Sequence, residues 1–456
     1  MKILLVQSFL GGFQPVVYPL GLTYLTAALS GHEVHILDLN VVDEPYQELP
    51  RRIGELAPDL IGLSLRNIDN QMRLDFSYFY RDHFQRELKI IRRAAPATTL
   101  VAGGAGFSLF PREIMAENPE LDFGVYLEGE ETFPELLANL DRPQGVAGVY
   151  YREDGEVRFT GNRPLVDFAR LPPPDHRLLK DHAYTLIQGV GIQTTRGCPH
   201  NCVYCVYPKL GGRSLRSRPA AEVVREIEGL LGDYGLDNFF FADSAFGADL
   251  QQGKEICRLI LSKGLKVRWG AYFDLEYADA DFFHLCRKAG CEAYYFSPDG
   301  YSAEALRALG KGITPRLVKQ NLDLFLNDPE LARATVIYTV FLNSPGETLS
   351  GLGRTLWLWA RTYPRLKLKR RGDMALCWIR IEPETRLHRL AIEQNDLTPG
   401  QSLLPPAGGD YAELFYHHPR LRVVEGLLLG LMRSLGRLKD LLKKLLGKGR
   451  GQDAAA

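Results

Sequence analysis

Three cysteines fall within eight positions of the stretch TTRGCPHNCVYCVYPK, at 198, 202 and 205, and only four others occur in 456 residues. Thiols that close together in a cysteine-poor chain point to metal or redox chemistry in a reducing compartment rather than to a disulfide framework. A structural zinc site calls for four protein ligands, usually as two spaced pairs. The next cysteine, Cys257, is 52 residues beyond Cys205, so zinc would need a distant His. A cubane iron–sulfur cluster can instead be held by three thiolates, leaving its fourth iron open to a ligand.

The run RGCPHNCVYC, with aromatic Tyr204 just before the last cysteine, resembles the signature of radical S-adenosylmethionine (SAM) enzymes. The resemblance implies that Cys198, Cys202 and Cys205 hold a [4Fe–4S] cluster, that its open iron chelates SAM, and that Tyr204 packs near the adenine. It also implies an external electron donor, such as flavodoxin or ferredoxin, whose electron splits the sulfonium to a 5′-deoxyadenosyl radical.

The elements that must position such a loop alternate. YTLIQGVGIQTT reads as a strand before it; helix PAAEVVREIEGLLGDYG and strands DNFFFADSAFG, KVRWGAYFD, EAYYFSPDG and ATVIYTVFLNSPGET follow, separated by helical patterns. This predicts a parallel sheet, a partial (β/α)6 barrel over 183–390 with its chemistry at the C-terminal strand ends, where Asp243, Asp274 and Asp299 fall. RIEPETRL at 380–387 resembles the family's last barrel strand and the turn after it.

Residues 1–145 alternate separately, as five strands with helices between them, which predicts a flavodoxin-like, Rossmann-type doubly wound α/β sheet. No G-x-G-x-x-G follows the first strand, which argues against a dinucleotide site. The series YPLGLTYLTAAL, LSLRN, AGGAG and EGEET resembles the cobalamin-binding domain that precedes the barrel in cobalamin-dependent radical SAM enzymes. By that resemblance Tyr18, Pro19, Ser64, Leu65, Arg66, Asn67, Gly103, Gly104, Glu128 and Gly129 border the corrin, and Tyr204, Asp243 and Asp299 border SAM. The chain has no D-x-H-x-x-G motif, so either no protein His reaches the cobalt or the domain is vestigial. A guanidinium keeps its proton, so Arg66 under the cobalt would block water without ligating; the alternative is a surface Arg bonded to Asp69 or Asp75.

A hairpin, VYYREDGEVRFTG, opens the connector over 146–182, where Asp154-Gly155 suits a tight turn. Cys257, Cys286, Cys291 and Cys377 read as buried packing residues. No cysteine precedes Cys198, which excludes the second cluster of a methylthiotransferase. Fifty-five basic and 55 acidic residues give no global field for nucleic acid, and neither a signal peptide nor a long apolar span is legible, which predicts a cytoplasmic protein. Basic charge concentrates in 420–450, which overlaps the end of a helical segment over 391–447; nine basic and two acidic residues in 420–450 give +7 on a leucine-rich stretch. That helix either packs on the barrel or makes a peripheral membrane contact. Residues 448–456 read as a tail. The expected function is a cobalamin-dependent radical SAM C-methyltransferase, carrying a methyl from SAM via methylcobalamin to carbon of a small-molecule substrate, an indole or an apolar metabolite. Alternatives are cyclisation, rearrangement or carbon–carbon coupling, and more remotely a corrin or iron–sulfur carrier.

Overall fold

The computed structural model describes residues 1–12, 16–180, 184, 189–368, 370–409 and 411–445, with side chains described to 434. In the first sheet β1 (Lys2–Gln7), β2 (Glu33–Asp38), β3 (Leu60–Ser64), β4 (Thr99–Gly103) and β5 (Phe123–Val125) run parallel in the order β2-β1-β3-β4-β5. That is the expected flavodoxin-like order. The strands read as continuous apolar runs because both faces are covered. Leu4, Val6, Ile61 and Leu63 enter one core, while Ile3, Leu5 and Leu60 enter another. The hairpin, β6 (Val149–Glu153) and β7 (Glu156–Phe159), does not hang in the connector but extends this sheet antiparallel to β5. Asp154 and Gly155 both take positive φ, 51° and 82°, as a two-residue turn between twisted strands requires.

The second sheet contains β8 (Gly191–Ile192), then, after a small ladder of β9 (Thr195–Arg196) and β10 (Arg216–Ser217), β11 (Asn238–Phe246), β12 (Arg268–Phe273), β13 (Cys291–Asp299), β14 (Thr335–Phe341) and β15 (Gly372–Cys377). Its order, β15-β14-β13-β12-β11-β8, is all parallel, the expected six-stranded partial barrel. Phe239, Phe241, Trp269, Phe273, Tyr294 and Phe296 face outward into a core shared with the surrounding helices. Cys257 and Cys286 pack there with sulfurs 3.8 Å apart, and Cys291 is equally buried.

Two expectations shift. YTLIQGVGIQTT contributes only the short β8, and residues 185–188 lie outside the described residues. RIEPETRL is not the last strand: β15 is, and the chain leaves the sheet at Trp378 so that buried Arg380 can turn to Asp69, Nε to Oδ2 2.6 Å. Beyond it Thr385 caps helix Arg386–Glu393.

Helix Arg422–Leu445 packs Leu421, Glu425 and Leu429 against the body, while Val423, Leu427 and Leu431 on its outer side stay exposed. Residues 448–456 lie outside the described residues.

Beneath β1, Glu87 is fully buried on helix Gln85–Ala94; its Oε1 accepts the Phe9 N–H at 2.9 Å, and burial pushes its carboxyl up to about 7. The folded state therefore holds a proton that the unfolded chain releases near its ordinary pKa of about 4.5. This contribution to stability is fully present below about 4.5 and is lost as pH rises through about 7. Glu87→Gln keeps the acceptor without the charge. Its stability relative to the parent is expected to rise between pH 5 and pH 8 in urea unfolding; a difference independent of pH would refute the assignment.

Candidate active site

The cysteine loop is clamped by backbone. Gly197 takes φ 92°, where a Cβ would stand 2.2 Å from the Ser214 carbonyl oxygen, so only glycine brings the chain through. The Cys198 N–H donates to Gly212 O at 3.0 Å, and the Val203 N–H to Leu309 O at 3.0 Å. The Val203 carbonyl accepts from Leu387 N–H at 2.8 Å, and Arg386 donates to the Asn201 carbonyl. Barrel loops from three directions therefore fix the positions of Cys198, Cys202 and Cys205.

The three thiols lie within electrostatic reach of one another. Burial pushes the Cys202 thiol up and Cys205 up to about 12, so the charge of a bound metal group must favour the thiolates. Among the described residues the only His, Cys, Asp or Glu group of three with ligand atoms within 4.8 Å of one another is His200, Asp274 and Glu276. The cysteine sulfurs are thus spread wider than the roughly 4 Å between thiolates on one zinc. That spread, and the purely thiol donor set, fit a cluster of several irons.

Tyr204 donates its hydroxyl to Asp299, and its ring meets Phe341 edge-on at 5.1 Å. Asp299 is paired in turn with Lys311 (Nζ to Oδ2 2.5 Å), whose ammonium also reaches the Ser297 carbonyl at 2.8 Å. Burial pushes the Asp299 carboxyl up, while Asp299 holds Lys311 above its ordinary value against burial. Beside them His200 stacks on Tyr277 and lies 2.9 Å from Asp274, which holds its imidazole above the usual range. Asp243 is committed to the protein. It accepts from Thr194 N–H (2.7 Å), Thr195 N–H (3.1 Å) and the Thr194 hydroxyl (2.5 Å), and so fastens the strand that enters the cysteine loop.

On the first domain, the loop 64–67 follows β3. Leu65 is buried, and its carbonyl receives the Gly106 N–H at 2.9 Å; the Arg66 carbonyl does so too. Gly104, at φ 97°, would drive a Cβ to 2.6 Å from the Leu65 oxygen, so this glycine is required by the fold itself. Gly103 meets no such limit, its nearest neighbour being Val125 at 3.8 Å. Ser64 and Asn67 are half-buried on the same edge. Arg66 is not a surface partner of Asp69, which belongs to Arg380, and no carboxylate pairs with it among the described residues. Its side chain is accessible, yet burial lowers its pKa, and it lies within electrostatic reach of Tyr207 and Tyr272. Those tyrosines keep 53% and 42% of their surface accessible while burial pushes their hydroxyls up. All three keep accessible surface although protein surrounds them densely. Tyr207 also lies within electrostatic reach of Cys205, so the Arg66 loop, the cysteine loop and the inward side of β12 approach one another here.

Four expected corrin neighbours have other engagements within the protein. The Tyr18 hydroxyl meets His176 Nδ1 at 2.9 Å and its ring packs edge-on to Tyr184, while Pro19 caps helix Leu20–Ala28. Both oxygens of Glu128 are held by Arg216 at 2.8 and 2.9 Å, with Arg196 at 3.3 Å, so Glu128 ties the first sheet to β9 and β10. Gly129 simply opens helix Gly129–Leu137. Sequence reading missed Lys311, Arg380, Tyr207 and Tyr272. For Tyr272 the signal was present: it alternates in KVRWGAYFD with the outward Trp269, Ala271 and Phe273.

A flavodoxin-like domain joined to a partial parallel barrel that carries a three-cysteine loop is the class this fold and site define. Residues 10–137 match the family model of the B12 binding domain, and residues 192–347 match that of the radical SAM superfamily. The chain is 29% identical over 306 residues to an uncharacterized methyltransferase of Pyrococcus horikoshii, spanning 65% of this chain and 64% of that protein. It is 27% identical over 329 residues to an anaerobic magnesium-protoporphyrin IX monomethyl ester cyclase of Synechocystis, spanning 70% and 64%. The chain thus spans less than two thirds of the curated relatives it first matches. The structure of the radical SAM methyltransferase TsrM from Kitasatospora setae superposes with a TM-score of 0.71 at 22% identity, covering 90% of this chain and 78% of that one. This likeness shows the fold.

Proposed function

We propose that the chain is a cobalamin-dependent radical SAM C-methyltransferase. The observation that carries this reading is the convergence of the two domains' loops: Tyr207 lies within electrostatic reach of both Cys205 and Arg66, and Arg66 within reach of Tyr272 on the barrel. When bound, the cluster with SAM supplies one-electron bond cleavage, and the corrin supplies a metal that takes up and passes on a methyl group. Cys198, Cys202 and Cys205 would hold the cluster. Tyr204, fixed by Asp299 and Lys311, would stand beside SAM, and loop 64–67 would face the corrin. Arg66 keeps its proton and offers no lone pair to a metal, so it would exclude water from that face rather than ligate. The test is anaerobic incubation of reconstituted protein with SAM and reductant. Release of S-adenosylhomocysteine and a product heavier by one CH2 supports methyl transfer; 5′-deoxyadenosine with a product of unchanged methyl count favours cyclisation or rearrangement, a second reading supported by the cyclase relative.

Electron delivery is proposed at a surface pocket of about 230 Å³ that Cys202 and Cys205 line from within. Lys209, Arg213, Arg386 and Arg389 rim it, against one carboxylate, Glu384, which suits an acidic carrier such as flavodoxin or ferredoxin. Lys209→Glu with Arg389→Glu is expected to slow flavodoxin-driven turnover about ten-fold at low salt, with dithionite-driven turnover much less affected. Equal loss with both reductants would place the docking surface elsewhere.

Among the described residues no helix is long and apolar enough to cross a membrane. A peripheral contact through Val423, Leu427 and Leu431, beside the cationic end of that helix, is proposed; flotation with anionic and neutral liposomes at low and high salt is its test.

A further inference from the structure

The turn that carries Lys311 is pressed against the cysteine loop. Helix Ala303–Ala308 stops at Leu309, whose carbonyl takes the Val203 N–H at 3.0 Å. Gly310 follows at φ 74°, where a Cβ would stand 2.4 Å from the Asn201 carbonyl oxygen, so only glycine lets the two segments close on each other. Lys311 is the next residue. Its ammonium lies 5.9 Å from the centre of the ring of Tyr204, which stands between Cys202 and Cys205 in the loop, and its side chain keeps only 14% of its surface accessible.

The ammonium is fixed there. Nζ lies 2.5 Å from Asp299 Oδ2 and donates to the Ser297 carbonyl at 2.8 Å. Asp299, the last residue of β13, takes φ 63°, a left-handed conformation that a residue with a Cβ keeps only where its surroundings impose it. Its Oδ2 also accepts the Tyr204 hydroxyl, while Oδ1 meets no donor among the described residues. Packing alone does not call for such a pair, because apolar residues of equal volume often stabilise a buried site as well or better. What the pair does is hold a cation beside two thiols. At Cys202 the ammonium outweighs the Asp299 carboxylate, and at Cys205 it acts in the same direction, favouring the thiolate. A cubane cluster on three thiolates is anionic when oxidised and gains one more negative charge on reduction. A fixed cation near its sulfurs therefore favours the reduced state, and more strongly out of water.

Resting on the reading of Cys198, Cys202 and Cys205 as cluster ligands, we infer that Lys311 is a positioning residue for electron entry: its ammonium, held against the cysteine loop by Asp299 and Ser297, raises the reduction potential of the cluster so that a flavodoxin or ferredoxin can reduce it. One electron passes from the carrier to the cluster, no bond forms or breaks, and Lys311 keeps its proton throughout.

The experiment is a potentiometric titration of the full chain reconstituted with its cluster and hydroxocobalamin, with the reduced cluster read by low-temperature electron spin resonance and iron counted on the same samples. Lys311→Met is expected to make reduction about ten-fold less favourable, a shift of about 59 mV to lower potential for one electron. Lys311→Arg keeps the charge and should leave the equilibrium within about three-fold of the parent. Asp299→Asn removes the opposing charge, still offers an oxygen to Tyr204 and Lys311, and should shift the potential the other way. A residue that only packed the loop would not move the potential in opposite directions for the two members of the pair. Equal potentials in the parent, Lys311→Met and Asp299→Asn, or shifts of one sign in both variants, overturn the inference. If Lys311→Met fails to fold or takes up no iron, the other two variants decide. A raised potential in Asp299→Asn with Lys311→Arg near the parent sustains the inference, and an unchanged or lowered one in Asp299→Asn overturns it. A parent chain that takes up no iron overturns the reading of the three cysteines, whereas full iron with unmoved potentials overturns this inference alone.

Discussion

Anaerobic reconstitution of a chain carrying Ala at 198, 202 and 205 together is expected to give protein without iron, without the broad visible absorbance of an iron–sulfur cluster, and without SAM cleavage. Each thiolate holds one iron, and of the other cysteines Cys257, Cys286 and Cys291 are buried in the outer core, while Cys377, half-buried rather than buried as expected, stands at the end of β15 within electrostatic reach of Asp299 and is one thiol only. The fold should survive, because the loop is held by backbone hydrogen bonds at Gly212, Leu309 and Leu387 that the substitutions leave in place. Near-parental unfolding with complete loss of iron is therefore the expected pair of results. Four irons retained per chain would sink the assignment, and collapse of the fold would show that the thiols pack rather than ligate.

The second large effect is expected at Arg380. Its guanidinium donates to Asp69 at 2.6 Å, to Glu382 at 3.1 Å and to the Leu403 carbonyl at 3.2 Å, all out of water. Gln71 donates to the far oxygen of Glu382 at 2.8 Å. Arg380→Met leaves two buried carboxylates without their cation, and removing one partner of such a group costs about 3–5 kcal/mol. Burial already pushes Glu382 up to about 7, so at pH 5 it takes a proton and the loss shrinks, while at pH 8 it is felt in full. Adding Asp69→Asn and Glu382→Gln should restore most of the stability. Asp69 lies three residues beyond Arg66, so the single variant should also retain less corrin on gel filtration than the restored one. Unfolding curves at pH 5 and pH 8 that coincide for parent and single variant would show that the cluster is not under electrostatic load.

How far the sequence revealed this site depended on whether a residue's partner was local. The cysteine loop was legible because its three cysteines are seven positions apart at most, and both sheets were legible because helix coverage leaves apolar runs of strand length. Arg66 was placed on the correct edge of β3 because strand ends in an α/β sheet point at the ligand. The engagements of Glu128, Tyr18 and Arg380 could not be read for one reason: their partners, Arg216, His176 and Asp69, are 88, 158 and 311 residues away. A polar residue at a strand end looks the same in sequence whether it awaits a ligand or a distant side chain. β15 was passed over because the last strand was assigned by resemblance to RIEPETRL, just beyond it.

The pleat of the barrel gives neighbouring residues opposite occupations. Positions 239, 241, 269 and 273 carry the outer core, while 240, 272 and 295 face the barrel interior. A combinatorial library confined to these three codons would sample new pocket shapes while leaving the outer packing and the cofactor loops as they are. Chemical diversification on this scaffold is thus cheap in mutational steps, and three positions suffice for selection to begin on a different molecule.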